Sequence, residues 1–355
     1  MSPAGAVSPA GIASFEALDA AFDARFARAV ERLGTVRRTI RLAGQDIRLD
    51  FAGAGLVEAL WPAIRHSATP EGEDADPALT VRLWDSAGSG VDAVGPDWSR
   101  LALGRRGLLE EVSDAGRRVL FDWGTRGVML HDRRAGRAQY WVPDAAQLPF
   151  WERSFPFRQL LAWHFADRGA APVHAAALAV GGRGVLLPAP SGSGKSTTSL
   201  LSALAGLGFL GDDYVLIEAG AVPRVHALYR TAKLDDRSLA LLPGLAPHAR
   251  RFRPEDEKSV ILWPPDTPGA GPLLGEAPLA AIIVPEIAEG ETRIAPASPS
   301  HAVMALVPST AAHLDTDTPA LMRIAAELAR RLPVFRLALG RDLERIPEVI
   351  ANAVR

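Results

Sequence analysis

The chain of 355 residues has no cysteine, which excludes disulfides, thiolate metal sites and a cysteine nucleophile. That absence fits a reducing cytosol, a trait many exported proteins share. No apolar run approaches the roughly 18 residues that a membrane-spanning helix needs. The first residues, MSPAGAVSPAGIAS, lack the basic start and apolar stretch of a secretion signal. A cytoplasmic protein without a membrane partner is therefore expected. Charge of one sign is missing too. The formal net charge is -2, with acids and bases mixed along the chain, so nucleic acid is not an expected partner. What is there is a composition of 48% hydrophobic and 23% charged residues. That suits a core-forming protein, and the length suits one large domain or two ordinary ones.

The order of patterns along the chain predicts two regions behind a flexible tail, residues 1–14. Phe15, Leu18, Phe22, Phe26, Val30 and Leu33 recur at three- and four-residue steps, which predicts a helix. Alternation at Ile40 and Leu42, then at Ile47, Leu49 and Phe51, predicts a hairpin turning at residues 43–46. A short helix is expected near Leu56 to Ile64, and residues 67–78 read as a surface loop. The runs LTVRLW, RRVLFDW, RGVMLHD and AQYWVPD predict strands, so residues 15–148 form an α+β, mostly β, region with one or two helices. Pro149 to Arg168 reads as one connecting helix. From Pro172 the pattern becomes α/β. It ends in a strand pair, AAIIVPEIA with ETRIAPAS, and two helices, one striped by Leu321, Ile324, Ala325 and Leu328.

One segment carries chemistry. GVLLPAPSGSGKSTTSLLSALAG reads as strand, glycine-rich loop and helix, the context that a phosphate-binding loop requires. Glycines let the backbone of Ser191, Gly192, Ser193 and Gly194 curl so that several N–H groups point at one phosphate. The positive end of the helix beginning at Lys195 faces the same anion. Lys195 adds a point charge on the outer phosphates, and the Ser196 hydroxyl, followed by Thr197, suits magnesium. The strict pattern has glycine where this chain has Ala189. If the backbone there needed positive φ, alanine would cost about 1 kcal/mol. Gly206 to Gly211 matches a dinucleotide fingerprint. It follows a helix and precedes a strand, the wrong order for that fingerprint, so it reads as a helix cap and turn.

Two acids follow, Asp212 and Asp213, just before the apolar run YVLI. An acid beside a phosphate site holds the metal, and a second can take a proton from an attacking hydroxyl. Successive strand residues point to opposite faces, so both acids serve one site only if the backbone bends there. A hydrogen bond from His174, at the start of an upstream strand, would orient one carboxylate. Lys233, Lys258 and Arg230, at the edges of apolar runs, are further candidates for phosphate contact, and equally plain surface cations.

His174 lies 21 residues before Lys195, and Asp212 lies 17 after it. With the loop Ser191–Thr197, this order and spacing resembles the catalytic domain of bacterial HPr kinase/phosphorylase, over about residues 172–218. The resemblance implies a P-loop domain of the HPr kinase and phosphoenolpyruvate carboxykinase type over residues 149–355. It implies ATP and Mg2+ as cofactors, Asp212 as the base, His174 as its support, and Ser196 with Asp213 at the metal. LTVRLWDS, YWVPD and GRDLERIPEVI fit the divergent HPr-kinase-related proteins, some of which phosphorylate a serine of a precursor peptide in lasso peptide pathways. A peptide or small-protein acceptor recognised by the N-terminal region is thus implied, and a homo-oligomer, since HPr kinases are hexamers. The glycine- and arginine-rich signature that true HPr kinases carry after the acid pair is absent. Two other functions stay open: a nucleotide-dependent regulatory module, and a kinase for a small molecule.

Overall fold

The computed structural model describes residues 12, 14–70, 76–95, 97–101, 103–166, 168–264 and 268–354. Most of the expected tail lies outside these residues, as does the middle of the expected loop at 67–78. Ile12 is described and is buried among apolar neighbours. The protein is mixed α/β and divides into two compact units, Met1–Arg153 and Ser154–Arg355. Among the described residues no helix is long and apolar enough to cross a membrane.

In the first unit, α1 (Phe15–Leu33) begins where Ser14 Oγ accepts a hydrogen bond from the Ala17 N–H. It stops at Gly34, whose φ of 74° breaks the helical repeat. Phe15, Leu18, Phe22 and Phe26 of the stripe are buried, whereas Leu33 at its end is exposed. Strands β1 (Thr35–Leu42) and β2 (Gln45–Ala52) form the expected hairpin. Its turn is shorter than expected. Only Ala43 and Gly44 lie outside the strands, at φ of 46° and 73°, the double positive φ that matches strand twist in a two-residue turn.

The helix α2 (Gly55–Ile64), β3 (Leu79–Asp85) and a single turn α3 (Ser86–Ser89) come next, then β4 (Arg117–Asp122), β5 (Gly127–Asp132) and β6 (Arg137–Val142). The sheet order is β1-β2-β3-β6-β5-β4, with parallel pairs β2–β3 and β3–β6. Helix α1 covers this sheet, and Phe22 meets Trp84 edge to face at 5.4 Å. Asp19 and Asp23 of α1 are paired with Arg137 and Arg82 of the strands, and both accept from Gln139.

The single helix expected over Pro149 to Arg168 is two, α4 (Phe150–Ser154) and α5 (Arg158–Phe165). Pro156 disfavours the helical conformation before it and brings no N–H, and Phe157 sits at φ 54°. The division between the units falls at the end of α4, between Arg153 and Ser154, a few residues later than the expected boundary at 149.

The second unit is built on β7 (Ala170–Val180), β8 (Arg183–Pro188), α6 (Lys195–Leu204), β9 (Gly208–Gly211), β10 (Tyr214–Glu218) and β11 (Arg224–Ala227). Then come β12 (Thr231–Leu234), α7 (Asp236–Leu241), β13 (Ser259–Leu262), β14 (Glu276–Ile287) and β15 (Arg293–Pro296). Helices α8 (Pro299–His313) and α9 (Thr318–Arg331), strand β16 (Val334–Leu339) and α10 (Ile346–Val354) complete it. The main sheet runs β11-β10-β7-β8-β14-β16-β15, with β9 beside β7. A further β11–β14 pairing closes β11, β10, β7, β8 and β14 into a ring.

Alternation along the strands sends their side chains into two cores. Ala175, Ala177, Leu186 and Ile282 join residues of α8 and α9. Ala176, Leu178, Val185, Leu187 and Ile283 join residues of α6 and α10.

Three expectations need correcting here. The predicted strand pair β14 and β15 does not pair. The unanticipated β16 lies between them, parallel to one and antiparallel to the other. The last part of Gly206–Gly211 is a strand, β9, although Gly206 at φ 98° does follow the helix as a cap. His174 lies in the middle of β7, not at a strand start.

Candidate functional site

The sheet register explains why the site forms where it does. Tyr214 of β10 is opposite His174 on β7, and Pro188, the end of β8, is opposite Ala175. Asp213 therefore arrives beside His174 from one edge of β7, and the glycine loop leaves β8 from the other. Asp212 and Asp213 sit in a bend between β9 and β10, after Gly211 at φ 154°. That is the bend the sequence required if both acids were to face the loop.

Gly192 and Gly194 adopt φ of 81° and 89°, which only glycine takes without strain. A Cβ on Gly194 would meet Leu339 Cδ1 at 2.6 Å. Ala189 is not among the positive-φ residues, so alanine carries no backbone strain in place of the pattern's first glycine. Lys195 opens α6, and the first N–H groups of that helix have no acceptor within it.

The charged side chains converge on Asp213. Lys195 Nζ lies 2.6 Å from Asp213 Oδ1, and Lys233 Nζ lies 3.1 Å from Oδ2. His174 Nε2 is 3.5 Å from the same Oδ1 and 3.4 Å from Lys195 Nζ. Lys233 also lies over the Phe155 ring, 4.7 Å from its centre, a cation–π contact. Asp212 faces the other way. Its Oδ1 accepts from Ser199 Oγ at 3.1 Å, its Oδ2 from the Lys233 backbone N–H at 3.3 Å, and Ser196 bonds to it as well.

A cavity of about 180 Å³ opens above the loop. Asp213, His174, Lys195, Lys233, Lys258 and His313 line it together with loop residues. Asp212, 1% exposed, and Arg230 do not.

The two acids titrate in opposite directions for physical reasons. Burial pushes Asp212 up to about 6, helped by the charge of Asp213 and opposed by Lys195. Burial acts on Asp213 as well, but the ammonium groups of Lys195 and Lys233 overcome it and hold that carboxyl well below the usual range. Burial, then Lys195, lowers His174 to about 4, so its ring is neutral at pH 7. Burial also lowers Lys233, against the pull of Asp213.

The structure thus brings His174, Ser191–Thr197, Asp212, Asp213, Lys233 and Lys258 together, and Arg230 is not among the residues that line the cavity. It changes the partners within the set. The expected contact between His174 and Asp212 is instead one between His174 and Asp213. The loop bend turns Asp213 into the cavity and Asp212 beneath α6.

Sequence reasoning missed Ser309, Thr310 and His313 on α8. Ser309 Oγ is 2.6 Å from His174 Nδ1, and the His313 ring lies 4.2 Å from the His174 ring, centre to centre. No local pattern marks them.

Chemically, the site offers a polyanion a glycine loop, a helix N-terminus and three lysines, with a carboxylate at the back of the cavity. Among the described residues no cluster of three or more histidine and acidic side chains could hold a metal alone. The Ser196 hydroxyl, which lines the cavity, fits a hard cation that arrives with a phosphate ligand. The chain matches no protein-family model and no curated protein.

Proposed function

We propose that the second unit is a MgATP-dependent phosphotransferase of the HPr kinase type, with a P-loop, that delivers the γ-phosphoryl group to a hydroxyl. A serine on a peptide or small protein is the acceptor class we favour. The observation that carries this reading is the meeting of Lys195, Asp213 and His174 at the mouth of a glycine loop that opens a helix. A site that only bound nucleotide would need the loop and the lysine, with no use for a buried carboxylate and histidine beside them.

In this reading Lys195 leaves Asp213 for the β- and γ-phosphates when MgATP enters. Ser196 would hold the magnesium, which would supply positive charge at the phosphates, and Asp212 bonds to Ser196 from behind. Asp213, which lines the cavity, takes the proton from the acceptor hydroxyl, oriented by His174 and neutralised in part by Lys233. These roles reverse those that the family resemblance implies for the two acids. Lys233 and Lys258 contribute positive charge around the phosphoryl group in flight.

The test is transfer from labelled ATP to a serine-containing peptide library, with nucleotide binding followed separately. Asp213→Asn should lower transfer by roughly 10²–10⁴-fold, the usual reach of a general base, and leave MgATP binding intact or tighter. Normal transfer by that variant would remove Asp213 from the mechanism. Binding without any transfer by the wild type would favour a regulatory module.

A further inference from the structure

Helix α8 fixes His174 twice. Thr310 Oγ1 accepts from the His174 backbone N–H at 3.0 Å and donates to Leu306 O at 2.8 Å. Ser309 Oγ lies 2.6 Å from His174 Nδ1 and 3.4 Å from the Ala189 carbonyl oxygen.

A serine hydroxyl has one proton to give, and so has a neutral imidazole. If Ser309 donates to Ala189 O, its Oγ can only accept from Nδ1, and Nε2 is left with a lone pair. If Ser309 donates to Nδ1, the ring proton must sit on Nε2, facing Asp213 Oδ1 at 3.5 Å. The direction of one hydroxyl and the tautomer of one ring are therefore the same variable.

In the structure the Lys195 ammonium, which can only donate, is 3.4 Å from Nε2. That selects the first arrangement. Lys195 then donates to Nε2, Nδ1–H to Ser309, and Ser309 to Ala189 O, and no donor is left over.

We infer that Ser309 is a positioning residue that lets His174 exchange its Nδ1–H tautomer for the Nε2–H one when Lys195 leaves Nε2 for an anion. The Ser309 O–H swings from Ala189 O to Nδ1. One proton passes from Nδ1 to water and one is taken from water at Nε2, so the ring stays neutral. His174 then replaces Lys195 as the hydrogen-bond donor to Asp213 Oδ1 and keeps that carboxylate aimed into the cavity. This last consequence rests on the phosphotransfer reading; the change of tautomer does not.

Long-range ¹H–¹⁵N correlation spectra of the histidine rings, recorded on the full chain at pH 8, distinguish the two tautomers. His174→Gln assigns the signals. The wild type without nucleotide should show a protonated Nδ1, and Lys195→Met should show a protonated Nε2. Ser309→Ala combined with Lys195→Met should give a mixture, and Ser309→Thr, which keeps the hydroxyl, should restore the full change. The same tautomer in wild type and Lys195→Met overturns the inference, as does a complete change without the Ser309 hydroxyl. A magnesium complex of a non-hydrolysable ATP analogue should act as Lys195→Met does. If the lysine variant changes the tautomer and the analogue does not, the nucleotide reading fails while the role of Ser309 stands. In the transfer assay Ser309→Ala should lower kcat about tenfold with KM for ATP unchanged.

Discussion

Both units bury charged side chains, and the two sets differ in what surrounds them. In the first, Asp19 and Asp23 of α1 are matched by Arg82, Arg137 and Gln139 on the sheet, and the group ties a helix to its strands. In the second, Lys195, Lys233 and His174 crowd around Asp213 at the wall of a cavity. Removing Arg137 leaves the buried Asp19 without its cation, and removing Asp19 takes an acceptor from the buried Gln139, which weakens the fold. Removing a member of the second also changes what can enter the cavity and what happens to it. Buried charge alone does not mark function; buried charge beside an opening is the informative case.

The contrast can be broken most directly at Asp213. Asp213→Asn should cost about 10²–10⁴-fold in transfer, about 3–5 kcal/mol of barrier, and should also lower the melting temperature, because it leaves the buried Lys195 and Lys233 without their carboxylate. Its counterpart Asp19→Asn should act on stability alone. A loss of about 1–3 kcal/mol from the first unit is expected in urea titration, with nucleotide binding unchanged. Phe22→Ala, which empties a fully buried site between α1 and Trp84, should cost that unit about 3–5 kcal/mol. If either first-unit change lowers nucleotide affinity as much as Gly194→Ala does, the contrast between the sets collapses.

A pH titration of stability sharpens the comparison within the second set. The folded pKa of Asp212, about 6, lies above the ordinary 3.8. Its protonated form is favoured by folding, so its contribution is fully present below 3.8 and is lost as pH rises through about 6. Asp213 works in the opposite sense. Its depressed pKa gives stability that is present above 3.8 and is lost only as pH falls through the lower folded value. Asp212→Asn should therefore remove a decline in stability between pH 4 and pH 6, as measured by denaturant midpoints. An unchanged slope would mean that Asp212 is not the group held protonated.

Smaller effects are expected at the loop. Gly194→Ala should cost about 1 kcal/mol in backbone strain alone, and its Cβ would displace Leu339, so nucleotide affinity should fall. Ala189→Gly, which restores the strict loop pattern, should destabilise by about 0.4–1 kcal/mol, since Ala189 has no positive φ to relieve. A gain in stability there would mean that alanine is strained after all.

Much of the candidate site was legible because it is local. Strand β8, the glycine loop and α6 follow one another within a single stretch, so composition and period identify them together. The acid pair was legible as chemistry but not as geometry. Its assignment turned on a bend after Gly211 that decides which carboxylate sees the cavity. In the fold, α1, the hairpin and most strands of the first unit were legible from their periods. Strand β16 was not. VFRLAL is short, and what makes it a strand is its seat between β14 and β15. The contribution of α8 was hidden for the same reason. Ser309 is 135 residues from His174, and no spacing rule spans that distance.

The sequence by itself determined the succession of strand, glycine-rich loop and helix, the helical and strand periods and the lack of thiol chemistry, because each depends on residue types at short range. Tertiary structure alone decided that Asp213 and not Asp212 faces His174, that Arg230 is outside the cavity lining, and that α8 supplies Ser309 and His313. Those are outcomes of sheet register and of one helix packed across it, and they are set by where distant segments bury their apolar faces.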